Sequence, residues 1–267
     1  MTIKTLPRLS YDTLLKVLTI RNSYLRQISL KRESLSFDNY PFTIPAIKRL
    51  HTLRLHPNVT FLVGENGCGK STLLEGIATA LGFNPEGGSI NFKFATRESH
   101  SGLSNHLRLV RSSKRPRDGY FLRAESFYNV ASDIERLDQE PSFSRRIIES
   151  YGNRSLHEQS HGESFLALLL HRFGGNGLYI LDEPEAALSP VTQLAVLRRI
   201  HQLVLDDSQF VIATHSPILM LYPKSRILRL TEAGFTSVNY EQTDHYIITK
   251  RLLGDPVDSV RLLLEAD

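Results

Sequence analysis

At 267 residues with 41% hydrophobic side chains, the chain can bury the core of one large α/β domain or two small ones, and disorder throughout is excluded. Lys and Arg number 32 against 28 Asp and Glu, a formal net charge of +4 that permits an acidic partner without requiring one. A single cysteine, Cys68, excludes an intramolecular disulfide and suits a reducing compartment.

In chain order, Ser10 to Ile20 predicts an amphipathic helix, with Ser10 as N-cap before Tyr11, Leu14, Leu15 and Leu18. Residues 1–22 are set apart as an extension, with 23–267 as the main domain. Lys4, Arg8, Asp12 and Lys16 interrupt any secretory apolar segment. A short strand pattern at Tyr24 to Leu30 precedes a turn from Ser36 to Pro41. Strand candidates follow at Thr52–Leu55 and at Val59–Val63, which runs straight into glycines. Ser71 to Leu81 reads as a helix ended by Gly82, with an irregular loop over Asn84 to Gly88. The stretch from about Asn91 to Gln159 is the least regular, with a basic run at Arg108 to Arg117 and an acidic helical piece from Ala131 to Glu140 before Pro141. Order returns with a helix near Ser164–His171, a strand Leu178–Leu181, a helix Pro190–Leu205, a strand Phe210–Ala213 and β-like segments at Ser225–Leu230 and Phe235–Tyr240. Alternating strands and helices predict an α/β layer fold with a mainly parallel sheet. The longest apolar run, Phe165 to Leu170, is far short of the roughly 20 residues that a membrane-spanning helix needs. The expectation is a cytoplasmic chain with no transmembrane segment.

Gly64-Glu65-Asn66-Gly67-Cys68-Gly69-Lys70-Ser71 matches the pattern Gly-x4-Gly-Lys-Ser/Thr and lies between a predicted strand and a predicted helix. Glycines there let backbone N–H groups wrap phosphate oxygens, and the helix behind presents its positive end. Lys70 should reach the β and γ phosphates and Ser71 should hold Mg²⁺, while Gly64 to Thr72 together form the nucleotide-binding loop. Downstream, the apolar strand Leu178-Tyr179-Ile180-Leu181 ends in Asp182 and Glu183. Asp182 can serve the metal while Glu183 points at an attacking water, with Pro184 restraining the turn.

These motifs resemble the Walker A and Walker B sequences of ATP-binding cassette (ABC) ATPases, with Leu181-Asp182-Glu183-Pro184 as in that family. Gln159-Ser160-His161-Gly162-Glu163 resembles the family signature at Ser160, Gly162 and Glu163, and His215 matches its switch histidine. The resemblance covers about Tyr24 to Leu230. It implies a P-loop NTPase fold of ABC ATPase type: a mainly parallel sheet flanked by helices, an antiparallel β edge and a small helical subdomain, with a lid at about 127–160. The stretch Asp182 to Pro190 looks like the soluble RecF-, SMC- and OLD-like branch, whereas transporter subunits usually carry Asp where Ser189 stands. The family's loop glutamine is missing, and Glu125 is the candidate for its place. Tyr40 or Phe42 could stack on adenine or serve the core.

The resemblance further implies Mg-dependent ATP hydrolysis, with Lys70, Glu183 and His215 as catalytic residues and Ser71 and Asp182 as metal ligands. Ser160, Gly162 and Glu163 would reach a nucleotide on a second copy, so that ATP glues a head-to-tail homodimer. The basic run, with Arg108, Arg111, Lys114, Arg115 and Arg117, could track nucleic acid or be a solvated loop or a surface for an acidic protein. The implied role is in DNA maintenance or phage defence, with a separately encoded effector. The alternatives are the ATP-hydrolysing subunit of a transporter and a nucleotide-gated module with little turnover. Cys68, His100, His106 and His161 have no metal-site spacing, so no metal beyond Mg²⁺ is expected.

Overall fold

The computed structural model describes residues 23–33, 35–90, 102–125 and 161–265, together with 132, 134–136, 138, 148 and 149. The expected N-terminal helix and most of the expected lid lie outside the described residues, as do Ser160 and Ser126. Within the acidic piece, residues 132, 134–136 and 138 are helical.

Nine strands form two sheets among the described residues. Strands β1 (Leu25–Leu30), β2 (Thr52–Arg54) and β4 (Leu107–Arg111) make a small antiparallel sheet in the order β2-β1-β4. The main sheet has the order β5-β6-β7-β3-β8-β9, built from β3 (Val59–Val63), β5 (Asp118–Arg123), β6 (Gly177–Asp182), β7 (Gln209–Ala213), β8 (Arg226–Thr231) and β9 (Gly234–Val238). All its pairings are parallel except β8 with β9, which supplies an antiparallel edge. The helices are α1 (Pro45–Lys48), α2 (Lys70–Leu81), α3 (His161–Ala167), α4 (Pro190–Leu205), α5 (Asp244–Gly254) and α6 (Pro256–Glu265).

Every residue of β3, β6 and β7 is buried, the pattern of parallel strands covered on both faces. The two-residue period of a strand divides them between two cores. Tyr179 and Leu181 of β6 join Phe61, Phe210 and Ile212 against Val196 and Ile200 of α4. Leu178 and Ile180 join Leu62 and Val211 against Leu73 and Ile77 of α2 and the small sheet. Each fully buried side chain of this kind contributes about 1.5–3 kcal/mol, which fixes the strand ends rigidly.

Helix α4 is tied to its surroundings at both its middle and its start. Helix α3 passes into a π turn over Leu168–Arg172, where Arg199 of α4 donates to the carbonyls of Leu169 (3.0 Å), Leu170 (3.3 Å) and Phe173 (2.7 Å). An inserted guanidinium that satisfies freed carbonyls is a sufficient cause for the widened turn. Helix α4 starts where the sequence predicts: Pro190 is its first residue and Ser189 caps it, accepting from Thr192 N–H at 3.2 Å.

The part of the middle between Gly102 and Arg123 is more regular than the sequence suggests. The first four residues of the basic run, Arg108–Arg111, belong to strand β4, and Asp118–Arg123 is an edge strand of the main sheet. Arginines interspersed along Arg108–Arg117 hide the alternation that would mark a strand. No helix among the described residues is long and apolar enough to cross a membrane.

Candidate functional site

Five-residue β3 ends at Val63 and the chain turns through Gly64, Gly67 and Gly69, all at positive φ (149°, 79° and 101°). Side-chain-bearing residues rarely adopt these angles. A Cβ at Gly64 would lie 2.6 Å from the Leu230 carbonyl oxygen, so the loop sits hard against β8. Around Gly67 a Cβ would meet nothing within 4 Å, so the loop is open on that side. The turn delivers Lys70 as the first residue of α2, and Lys70 is buried (4% exposed). Its Nζ donates to the carbonyls of Gly64 (2.8 Å) and Glu65 (2.9 Å), holding the loop closed on itself.

One residue on, Ser71 Oγ donates to Asp182 Oδ1 at 3.0 Å, bridging the start of α2 to the end of β6. Asp182 is 5% exposed, and burial pushes its carboxyl up to about 6, against the bond from Ser71 and the nearby Arg123. A desolvated carboxylate beside a hydroxyl is a hard-oxygen donor pair, which suits Mg²⁺ completed by phosphate oxygens and water. No cluster of three or more His, Cys, Asp or Glu able to hold a metal occurs among the described residues.

Glu183 follows at φ 50°, a strained angle for a residue with a side chain, fixed by its N–H on the Ala213 carbonyl (3.0 Å). Its Oε1 lies 3.8 Å from His215 Nε2. That nitrogen is buried and has no hydrogen-bond partner among the described residues. Burial holds the His215 imidazole below its ordinary range, with Lys70 acting in the same direction. The structure thus brings together Gly64–Ser71, Asp182, Glu183 and His215. Tyr40 is exposed with its hydroxyl 3.2 Å from Thr72 Oγ1, whereas Phe42 is buried edge-on against His106, so only Tyr40 presents a ring beside α2.

Gly162 and Glu163 lie in the first turn of α3. A Cβ at Gly162 would meet the Ala187 carbonyl oxygen at 2.8 Å, so glycine is needed there for packing alone. Ser189, between that loop and α4, is explained as a helix cap. Glu125 is an exposed side chain 3.6 Å from Arg123.

Three residues escape the sequence reading. Arg123 at the end of β5 is held by Glu75 of α2 at 2.9 Å, with its Nε 4.0 Å from Asp182. Glu185 accepts the His215 backbone N–H, orienting that loop. His245 of α5 places Nε2 3.1 Å from His215 Nδ1. Thr243 caps α5, and Asp244 sits 3.9 Å from Arg229 of β8, which sets the helix against the site. No motif spans the distance from 215 to 245, so only the fold reveals the pair.

Two family models match the chain: one described as "AAA domain" over residues 37–165, and one described as "AAA domain, putative AbiEii toxin, Type IV TA system" over residues 112–221. An "Uncharacterized ABC transporter ATP-binding protein" of Haemophilus influenzae is 28% identical over 169 residues, covering 58% of this chain and 63% of that protein. The match therefore spans less than two thirds of that relative. Among solved structures, cbiO1 from Clostridium perfringens, part of the ABC transporter complex cbiONQ, has a TM-score of 0.48 at 18% identity, covering 92% of this chain and 100% of that one. The SMC head domain from Thermotoga maritima has a TM-score of 0.40 at 16% identity, covering 81% and 98%.

Proposed function

We propose that this chain, a P-loop ATPase of the ABC class, hydrolyses Mg-ATP within a head-to-tail homodimer that opens and closes with the nucleotide. The observation that carries the reading is the junction of Ser71 with Asp182, flanked by Glu183 and His215 on the adjacent strand ends. Phosphate binding draws Lys70 off the Gly64 and Glu65 carbonyls, and the loop N–H groups with the start of α2 take up the negative charge. Ser71 and Asp182 would hold Mg²⁺, which supplies charge neutralisation on the phosphates when bound. Glu183 orients water and accepts its proton as oxygen bonds to the γ phosphorus and the bond to the β–γ bridging oxygen breaks, leaving ADP and phosphate. His215 offers Nε2 to the γ-phosphate, and Tyr40 stacks on adenine.

Ser160, Gly162 and Glu163 complete the site of the second copy, and loss of the γ-phosphate weakens the interface. In a cytoplasmic setting this switch serves DNA maintenance or phage defence through a separately encoded effector. The toxin–antitoxin description of the match over residues 112–221 supports the defence half. A transporter subunit is the second reading, supported by the description of the Haemophilus influenzae relative. Light scattering with Mg-ATP tests the switch: Glu183→Gln should accumulate as a dimer that Ser160→Arg abolishes, and a Glu183→Gln chain that stays monomeric at saturating nucleotide refutes it. Co-purification with membranes would instead favour the transporter.

A further inference from the structure

At the opposite end of the main sheet from Asp182, where β5 and β6 begin, a cavity of about 390 Å³ opens between the end of α2 and the turn joining β4 to β5. Its wall is apolar, with Leu81, Phe83, Ile90 and Leu178. Its rim is cationic, with Arg111, Lys114, Arg115, Arg117 and Arg172. Asp118 is the one acid in the lining, and its carboxylate is already taken by Arg172 (2.9 Å), Tyr179 OH (2.8 Å) and Gly174 N–H (3.0 Å). Lys114 is answered by Asp207 at 3.2 Å.

Arg111, Arg115 and Arg117 have no carboxylate within ion-pair distance among the described residues, and Arg111 reaches only the Ala80 carbonyl. Three uncompensated guanidinium groups at one cavity, in a chain whose net charge is only +4, repel one another unless an anion lies between them. The cations also form a line. Arg111 and Arg115 border a second, open depression of about 840 Å³ that continues along β4 to Lys31. Arg108 borders neither depression, so the basic run does not act as one face.

We propose that this cavity is a second phosphate-binding site, separate from the loop at Gly64–Ser71, which seats one nucleotide of a single-stranded nucleic acid while Arg111, Arg115, Arg117 and Lys31 follow its backbone. A pocket of this size takes a small ring-bearing ligand. A duplex is too wide to enter it. The cavity is wired to the ATP site by shared elements: α2 runs from Lys70 to Leu81, about 18 Å at 1.5 Å per residue, and β6 runs from the cavity wall to Asp182. The proposal rests on the nucleic-acid part of the proposed function and not on its ATPase part.

The test is fluorescence anisotropy of labelled oligothymidine on the full chain carrying Lys70→Ala, which takes the P-loop out of the competition. Binding should weaken with salt, and adding Arg115→Ala with Arg117→Ala should cost about tenfold in affinity and reduce the slope of log K against log salt by roughly 1.4, or about 0.7 for each lost phosphate contact. Arg108→Ala should change affinity less than about twofold. Thymidine monophosphate distinguishes the sources: competition at equal concentration assigns the site to free nucleotides and overturns the strand, and failure to compete supports the strand. Unchanged binding by the double variant, equal binding of duplex, or displacement by polyglutamate at equal charge overturns the site. ATP turnover of Arg115→Ala with Arg117→Ala on the unmodified P-loop should equal that of the parent; absence of turnover in both strikes the ATPase reading and leaves the cavity result standing.

Discussion

His245 Nε2 stands 3.1 Å from His215 Nδ1, so a helix near the end of the described chain reaches the residue that the proposed function places against the γ-phosphate. Burial and Lys70 keep both imidazoles below their ordinary range, so both are neutral at pH ~7 and a single proton lies between them. If His245 donates, His215 must carry its own proton on Nε2, the tautomer able to donate to a phosphate oxygen. His245→Phe should therefore lower kcat by about three- to tenfold, the worth of one hydrogen bond, with KM for ATP little changed. His245→Gln, which keeps a donor, should recover part of the loss in steady-state assays; equal kcat in all three chains would show that the pair is idle.

Asp182 titrates against the fold. Its carboxyl is raised from 3.8 to about 6, so the folded state binds more protons than the unfolded state between those values. The stability this group contributes is present below pH 3.8 and is lost as pH rises through about 6. Asp182→Asn should thus be more stable than the parent near pH ~7 without Mg²⁺, by about 2–3 kcal/mol, and equal to it near pH ~4. Urea melts in chelator at the two pH values measure this, and the same variant should lose any stabilisation by Mg-ATP.

Tyr40 and Phe42 separate cleanly in their expected effects. Base–aromatic stacking is worth about 1–3 kcal/mol, so Tyr40→Ala should raise KM for ATP by roughly 5- to 150-fold, while Tyr40→Trp should not. Phe42→Ala should instead lower the melting temperature, because that ring is buried against His106.

Arg199→Ala removes the donors to two carbonyls of the π turn, Leu169 and Leu170, and to that of Phe173 just after it. A loss of about 2 kcal/mol in denaturant unfolding is expected, and Arg199→Lys should recover less than half because one ammonium cannot reproduce the fork.

The ends of β3, β6 and β7 were legible because each is a contiguous apolar strand followed at once by the residues to which the proposed chemistry is given. Gly64–Ser71, Asp182-Glu183 and His215 each carry their own context. Arg123, Glu185 and His245 were not legible, since each acts on a residue supplied by a different element. Strand β4 and the approach to β5 were obscured by the basic run, in which Arg111, Arg115 and Arg117 line a surface cavity and do not enter a core. Helices α5 and α6 have apolar residues such as Leu253 and Val257 exposed, so no buried stripe announces them. Phe42 and Tyr40, equivalent on paper, were resolved only by where the turn before α1 folds.

Glu183 sits at φ 50°, a backbone angle that a glycine would occupy without penalty. The fold holds that carboxylate in place at a cost of about 1–3 kcal/mol. Thermal selection acting alone would drift toward Glu183→Gly, giving a sturdier protein without the carboxylate to which the proposed mechanism assigns the attacking water. Persistence of glutamate through a heat-challenge library would mark turnover, and not robustness, as the trait being kept.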